Sequence, residues 1–243
     1  MRPFLLLGTR PEDAAADAEY AAFLQYGGLA EHELHRVRLE SRPLPEIDLE
    51  HYSGVILGGS PFTSSIPEEH KSDTQRRVEH DLGTLIRRLV TVDFPFFGAC
   101  YGVGTLGRQL GAVLDSTHAE PVGPITVEVT ENGAADPLLA DLPPSFTAYV
   151  GHKEAISKLP DSAVLLARGE VCPVQMFRVG RNLYGTQFHP ELDEPGIVER
   201  IRIYRDAGYF APGQQAVVEA RVRGVDVSVP QRIIAAFVAQ YAR

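Results

Sequence analysis

The sequence predicts a three-layer α/β protein with a mainly parallel central sheet and helices on both faces. In its first half, short apolar runs alternate with amphipathic segments, a pattern typical of parallel sheets covered by helices. Two apolar runs end in glycine-rich turns, at 58–61 and 98–102. The chain has 243 residues, enough for one large domain with a substantial core. Because open α/β sheets bind ligands at the carboxyl ends of their strands, we expect the functional site beside these turns.

The alternation also sets the order of elements in the first half. A glycine pair at 27–28 ends the first helix, and two prolines between 41 and 49 mark a linker. Residues 62–71, which are polar and flanked by prolines, are predicted to form a flap. Strands are predicted at 3–8, 32–39, 53–57, 94–97 and 112–114. Helices are predicted at 12–26, 72–89 and 103–110.

The pattern changes after residue 119, where short runs rich in strand-forming residues replace the helices. This half is predicted to return and complete the sheet. Its strands are predicted at 125–129, 146–150, 164–166, 174–179 and 183–188. Beyond residue 193 the periodicity becomes helical again. Helices are predicted there at 196–204, 214–222 and 230–241.

Composition narrows the class of protein. The formal net charge is −9, which gives no electrostatic reason to expect binding to nucleic acid or to an anionic membrane. No apolar run approaches the roughly 20 residues of a membrane span, and the amino terminus resembles a first strand rather than a signal peptide. The chain has two cysteines, too few for a disulfide framework. We therefore expect a cytoplasmic protein.

The turn at 98–102, Gly-Ala-Cys-Tyr-Gly, carries the strongest chemical signal. Small residues beside a cysteine allow the strained strand-to-helix turn of a nucleophile elbow. The helix that follows directs its amino terminus at the sulfur, which favours the reactive thiolate. The alternative is a buried structural cysteine, the commoner role of a single Cys. The pattern makes Cys100 a candidate nucleophile.

A second motif supplies partners for that cysteine. His189 follows a predicted strand, Pro190 prevents further pairing, and Glu191 lies close enough to reach back to the imidazole. A cysteine nucleophile needs a base, and the base needs a group that fixes its tautomer. By itself a histidine before proline is more often a loop residue. Together with the elbow it becomes the expected base.

The motifs Gly-Ala-Cys-Tyr-Gly and Thr-Gln-Phe-His-Pro-Glu, about ninety residues apart, resemble those of class I glutamine amidotransferases. Within that family the chain is most similar, over residues 52–192, to the glutaminase domain of GMP synthases and its free-standing relatives. The resemblance implies a flavodoxin-like fold and the triad Cys100, His189 and Glu191. It also implies a catalytic domain at 1–193 and a helical extension at 194–243, packed on the same domain.

The resemblance also assigns backbone and pocket residues. The oxyanion hole is expected from the amide of Tyr101 and from that of Gly59 or Ser60, a choice the sequence leaves open. Ser60 is itself a departure, since the family loop usually reads Gly-Gly-Pro, and an ordinary turn is the alternative for this loop. Gly58, Gly104, His152 and Gln187 are assigned to the substrate pocket. For His152 the competing interpretation is a surface histidine in a turn.

Gly104 departs from the family pattern, in which a glutamine stands four residues after the cysteine and helps to line the glutamine pocket.

The reaction that the resemblance implies is glutamine hydrolysis through a γ-glutamyl thioester, without metal or organic cofactor. Ammonia would pass to a separate ATP-dependent synthetase, because the chain has no phosphate-binding loop. Two alternatives stay open: a hydrolase of other γ-glutamyl amides or peptides, and a non-catalytic regulatory subunit. The extension could cap the domain, dock a partner or form a homodimer.

Overall fold

A computed structural model describes residues 1–243 and contains eleven strands and seven α-helices. The strands are β1 (Phe4–Gly8), β2 (Leu34–Arg38), β3 (Gly54–Leu57), β4 (Phe96–Ala99), β5 (Val113–Asp115), β6 (Glu120–Val129), β7 (Ser145–His152), β8 (Ala155–Lys158), β9 (Ala163–Arg168), β10 (Met176–Val179) and β11 (Leu183–Thr186). The helices are α1 (Asp13–Gly27), α2 (Asp73–Thr91), α3 (Tyr101–Gln109), α4 (Glu131–Ala134), α5 (Glu194–Ile203), α6 (Gln215–Val222) and α7 (Ser228–Tyr241).

Nine strands form the central sheet, in the order β2-β1-β3-β4-β11-β10-β9-β6-β7. The first five are mutually parallel, and each later strand pairs antiparallel with its neighbour. Strands β5 and β8 form a separate antiparallel pair. The α/β class and a mixed, mostly parallel central sheet are confirmed, with the five parallel strands on one side of the sheet. The strand-rich second half completes the same sheet, as the pattern predicts.

Helices cover both faces of the parallel strands. On one face, Phe23 of α1 and Phe237 of α7 lie in one apolar cluster with Phe4, Ile56 and Phe97. The opposite face is covered by α2 and α3, whose apolar side chains pack on the alternate residues of the same strands. Because successive strand residues point to opposite faces, strands buried on both sides are apolar throughout.

Most predicted elements are present with boundaries shifted by a few residues. Strand β4 begins at Phe96 rather than residue 94, and α3 begins at Tyr101 rather than residue 103. The sequence pattern misses β8, whose four residues pair only with the short strand β5. It also misses the single-turn helix α4. Such short elements carry too few residues for a measurable periodicity.

The carboxyl-terminal segment divides into two parts. Helices α5 and α6 pack against β6 and β7 in a third apolar cluster that includes Tyr149, Ile197 and Val222. Helix α7 instead returns to the main sheet beside α1. The division of the chain at residue 193 stays a prediction, and none of the seven helices is long and apolar enough to cross a lipid bilayer.

Candidate active site

Cys100 lies in the sharp turn between β4 and α3. Its backbone has φ 51° and ψ −91°, a left-handed conformation that a non-glycine residue adopts only under strain. The turn closes tightly, since a Cβ on Gly98 would lie 2.8 Å from the Cα of Gly102. The Cys100 amide donates to the carbonyl of Thr186 at 2.7 Å, which fixes the elbow to β11. The elbow predicted from the sequence is present.

The neighbouring strand carries His189 to the same edge of the sheet. Ala99 at the end of β4 stands opposite Thr186 at the end of β11, so both chains leave the sheet side by side. Past that point, the His189 amide donates to the carbonyl of Tyr149 in β7 at 2.9 Å. Two strands far apart in sequence therefore fix the backbone of His189 beside Cys100.

The His189 and Glu191 side chains form a buried pair beside Cys100. Nδ1 of His189 is 2.8 Å from Oε1 of Glu191, and the Cys100 side chain lies close enough to the imidazole to act on its charge. Burial by itself lowers the pKa of His189, but the Glu191 carboxylate and the Cys100 sulfur outweigh it and raise that pKa to about 10. His189 is therefore held as an imidazolium at neutral pH, as a proton donor to a leaving amine requires.

Glu191 is fully enclosed, with 1% of its surface exposed. Burial alone raises the pKa of its carboxyl group, whereas His189 and then Arg200 lower it, for a net value of about 2. Oε2 of Glu191 has no hydrogen-bond partner. Its charge is thus stabilised by two nearby cations rather than by a full set of hydrogen bonds.

The loop after β3 faces the elbow, and its amides have different surroundings. The Gly59 amide donates to Oε1 of Glu19 at 3.1 Å. The amides of Ser60 and Tyr101 have no acceptor within the chain. Ser60, like Cys100, lines the cavities at this edge. Ser60 and Tyr101 thus line the same cavity as Cys100, while the Gly59 amide is already occupied.

Glu19 and Arg10 are site residues that sequence reasoning missed. The buried Glu19 side chain accepts a hydrogen bond from Nε of Arg10 at 2.8 Å, and a Cβ on Gly58 would lie 2.2 Å from its Oε2. Gly58 therefore supports the loop against Glu19 and does not line either cavity beside Cys100. The sequence signal that points to Glu19 is its position along the helix. Glu19 is four residues from both Ala15 and Phe23, so it lies on the same buried side of α1.

A polar cavity lies on one side of Cys100. Gly104, His152 and Gln187, three of the four predicted pocket residues, line it together with Lys153 and Glu154. A Cβ on Gly104 would lie 2.7 Å from Cδ2 of Leu114, so this leucine occupies the space that a longer side chain at position 104 would need. The missing family glutamine is thus accompanied by a different pocket wall.

The interpretation of His152 as a surface histidine in a turn is wrong. The side chain lies at the end of β7 and is buried, with 5% exposed. Its Nε2 is 2.9 Å from Oε2 of Glu120, and its Nδ1 is 3.0 Å from the carbonyl of Glu154. The ring therefore fixes the turn that presents Lys153 to the polar cavity. The antiparallel partner strand β6, predicted five residues too short, supplies the missing contact.

Glu120, His152 and Cys172 together form a buried group whose donor atoms lie within 4.8 Å of one another. Such a set has the chemistry of a zinc site, but both nitrogens of His152 already have partners within the chain. Burial raises the pKa of the Cys172 thiol to about 12, which opposes the thiolate a metal needs. The contacts of Glu120 and His152 instead hold neighbouring segments together. Cys172 is a buried core residue, as predicted.

A strained cysteine at a strand end, beside a histidine that is hydrogen-bonded to a buried glutamate, defines a cysteine-dependent enzyme of the acyl-transfer type. Residues 18–195 match the family model of class-I glutamine amidotransferases. The chain belongs to the class-I glutamine amidotransferase family.

Relatives with curated names and solved structures agree with that assignment. The glutamine-hydrolysing GMP synthase of Citrobacter koseri is 32% identical over 146 residues, covering 58% of this chain and 25% of the synthase. That of Escherichia coli O1:K1 is 30% identical over 146 residues. The chain thus matches about a quarter of the length of these relatives.

Among solved structures, a glutamine amidotransferase from Thermotoga maritima superimposes on this chain with a TM-score of 0.76 at 19% sequence identity. The superposition covers 99% of this chain and 98% of the Thermotoga maritima protein. A glutamine amido transferase from Methylobacillus flagellatus gives a TM-score of 0.75 at 20% identity, covering 99% and 94% of the two chains. At these identities the likeness establishes the fold, including the segment beyond residue 193.

Proposed function

We propose that this protein hydrolyses the side-chain amide of L-glutamine at Cys100. The observation that carries the proposal is Cys100 in its strained elbow beside the hydrogen-bonded pair His189 and Glu191, between two cavities at the carboxyl edge of the sheet. The chemistry needs no metal or organic cofactor, because the elbow and the imidazolium supply the nucleophile and the acid.

In the proposed reaction the Cys100 sulfur attacks the γ-carbonyl carbon, and a carbon–sulfur bond forms as the carbonyl oxygen becomes negative. The amides of Ser60 and Tyr101 hold that oxygen. The unpaired state of these amides supports this choice, and the bond between Gly59 and Glu19 argues against Gly59. His189 gives its proton to the nitrogen, the carbon–nitrogen bond breaks, and ammonia leaves. Water, deprotonated by His189, then hydrolyses the thioester to glutamate.

The remaining pocket residues take supporting roles in this proposal. Gly104 and Gln187 form walls of the polar cavity that receives the γ-glutamyl group. His152 positions the turn carrying Lys153, and Gly58 lets the Glu19 carboxylate approach the loop. The ammonia acceptor is proposed to be an ATP-dependent synthetase, because the GMP synthases to which the chain is similar are glutamine-hydrolysing. Two free cysteines fit a cytoplasmic setting.

A second candidate function, hydrolysis of substituted γ-glutamyl amides, is favoured by one observation. Leu114 fills the space beside Gly104, so the wall that relatives build from glutamine is apolar here. A different wall changes substrate preference without touching the triad.

The test is ammonia release from L-glutamine by the purified chain, with Cys100→Ala as control and γ-glutamyl amides assayed in parallel. Release that disappears in the control supports a glutaminase. Turnover of substituted amides without turnover of glutamine supports the second candidate. If no substrate is turned over and a glutamine-mimicking electrophile fails to label Cys100, the catalytic proposal is wrong. Labelling without turnover points to a glutaminase that needs its synthetase.

A further inference from the structure

A second cavity lies on the other side of Cys100 from the polar cavity. We call it the apolar cavity, because nine of its fourteen lining residues are hydrophobic. Its walls include Val122 and Val150 from the sheet and Ile197 and Ile201 from α5. The two cavities share Cys100, Ser60, Gly151 and Tyr209, so both open onto the sulfur.

The positions of the catalytic groups distinguish the two cavities. Tyr101, whose amide is unpaired, lines only the polar cavity, whereas His189 lines only the apolar cavity. The proton donor must face the nitrogen that leaves, so the leaving amine of a bound γ-glutamyl amide projects into the apolar cavity. The acyl group then occupies the polar cavity. The apolar cavity is therefore the leaving-group side of the site.

Ammonia does not need a cavity of this character. It is about the size of a water molecule, and it gains nothing from an apolar lining. Tyr204, Tyr209 and Phe210 extend that lining with aromatic rings. All three belong to the segment beyond residue 193, which gives that segment a role in the site. The surface fits an amine with an apolar side chain.

Two buried guanidinium groups add a preference for negative charge. Arg10 donates through Nε to Glu19 and through Nη1 to Tyr204, but its Nη2, which packs against Gly59, has no acceptor. The Arg200 side chain makes no hydrogen bond, and its charge is offset in part by the carboxylates of Glu19, 3.9 Å from its enclosed Nη1, and of Glu191. Both side chains line the apolar cavity and are at least nine-tenths buried. Unpaired guanidinium nitrogens are suited to a carboxylate.

We propose that the apolar cavity binds the second residue of γ-glutamyl dipeptides, with its side chain against the aromatic lining and its carboxylate at Arg200 and Arg10. This inference rests on the proposed chemistry at Cys100 and names the substrate class for the second candidate function. The carbon–sulfur bond forms at Cys100 as before, His189 protonates the amino acid's nitrogen, and the carbon–nitrogen bond breaks. The free amino acid leaves, and water releases glutamate from the thioester.

The test compares kcat/KM for four substrates of the purified full chain. They are γ-glutamyl-leucine, γ-glutamyl-isopentylamide, γ-glutamyl-glycine and L-glutamine. γ-Glutamyl-isopentylamide keeps the apolar side chain of leucine but lacks the carboxylate. γ-Glutamyl-glycine keeps the carboxylate but lacks the apolar side chain. We expect γ-glutamyl-leucine to exceed each of the others by about tenfold or more.

Two variants separate the contribution of the carboxylate site from that of the aromatic lining. Each is measured as a ratio of kcat/KM between two substrates, because a loss of activity that affects both substrates equally leaves the ratio unchanged. Arg200→Met should reduce the preference for γ-glutamyl-leucine over the isopentylamide by about tenfold. Arg202→Met is the matched control, because Arg202 lies on the same helix, is exposed and pairs with Glu219; it should leave the ratio unchanged. Phe210→Ala, in a half-exposed segment outside the core, should reduce the preference for leucine over glycine.

The outcomes distinguish this inference from the function on which it rests. If L-glutamine is hydrolysed but no dipeptide is preferred, the leaving-group site is wrong and the catalytic proposal stands. If dipeptides are preferred but the ratio does not change in Arg200→Met, the assignment of the carboxylate is wrong. If nothing is hydrolysed and Cys100 is not labelled, both proposals fail.

Discussion

At the scale of single residues, the charge on His189 depends on a carboxylate that never reaches solvent. Glu191 has one oxygen bonded to the imidazole and the other without a partner, so its negative charge is directed mainly at His189. Burial alone would make the imidazole neutral at lower pH, and the carboxylate reverses that tendency. This single contact therefore sets both the orientation and the protonation state of the proposed acid.

Replacing Glu191 with glutamine tests that control. The imidazolium, with its pKa raised to about 10, is lost as pH rises through that value. Without the carboxylate, burial still disfavours the charged ring and only the Cys100 sulfur favours it, so the pKa of His189 should fall. We expect kcat/KM to drop roughly 100-fold and its alkaline limb to move to lower pH. An unchanged alkaline limb would contradict the assigned role of Glu191.

At the scale of elements, strand ends and turns hold the site together. The elbow depends on close approach between Gly98 and Gly102, and the flap at 62–71 depends on a contact with the turn after β7. In that contact the Glu154 carboxylate accepts hydrogen bonds from the amides of Ser64, at 2.8 Å, and Ser65, at 2.6 Å. Each feature can be disturbed without touching the triad.

Gly98→Ala should destabilise the elbow, because the new Cβ would lie 2.8 Å from the backbone of Gly102. Overpacking of this kind costs about 1–3 kcal/mol in the free energy of unfolding, measured by denaturant titration. Gly8→Ala, at the end of β1, is the control, since a Cβ there meets no atom within 4 Å. Equal effects of the two substitutions would show that the crowding at the elbow is unimportant.

Glu154→Gln should loosen the flap, because the amides of Ser64 and Ser65 would exchange a charged acceptor for a neutral one. We expect faster limited proteolysis within residues 62–71 and a several-fold higher KM. Glu170→Gln provides the comparison, since Glu170 is exposed and makes no side-chain hydrogen bond. Proteolysis at the wild-type rate would argue that other contacts hold the flap.

At the scale of the whole molecule, the carboxyl-terminal segment is integral to the structure. The Phe237 ring of α7 is 5.9 Å from that of Phe4 and 5.4 Å from that of Phe97, measured between centroids. Helix α7 thus covers the parallel strands that end at the elbow. Helix α5 lies at the other end of the segment and forms part of the apolar cavity.

Phe237→Ala should therefore destabilise the entire fold. The side chain is 1% exposed, and removing a buried phenylalanine costs about 3–5 kcal/mol in the free energy of unfolding. Gln240→Ala, on the exposed side of the same helix, should change it by less than about 0.5 kcal/mol. Thermal and denaturant unfolding measure both variants. A small loss for Phe237→Ala would mean that α7 is an independent appendage.

The sequence by itself determined the features that local pattern encodes. Alternation of strands and helices predicted the parallel sheet, and glycines around Cys100 predicted a strained elbow that is present. The spacing of His189 and Glu191 predicted their hydrogen bond. Each of these rests on neighbours within a few residues, where backbone geometry restricts what side chains can do.

Only the tertiary structure decided the features that join distant segments. Glu19 meets Gly59 across forty positions, His152 is buried because β6 extends to Glu120, and Arg200 returns to the site from beyond the second motif. Periodicity shows that a helix has a buried face but not what it is buried against. Long-range packing of the chain determines those partners, and it therefore determines the charged and apolar surroundings of Cys100.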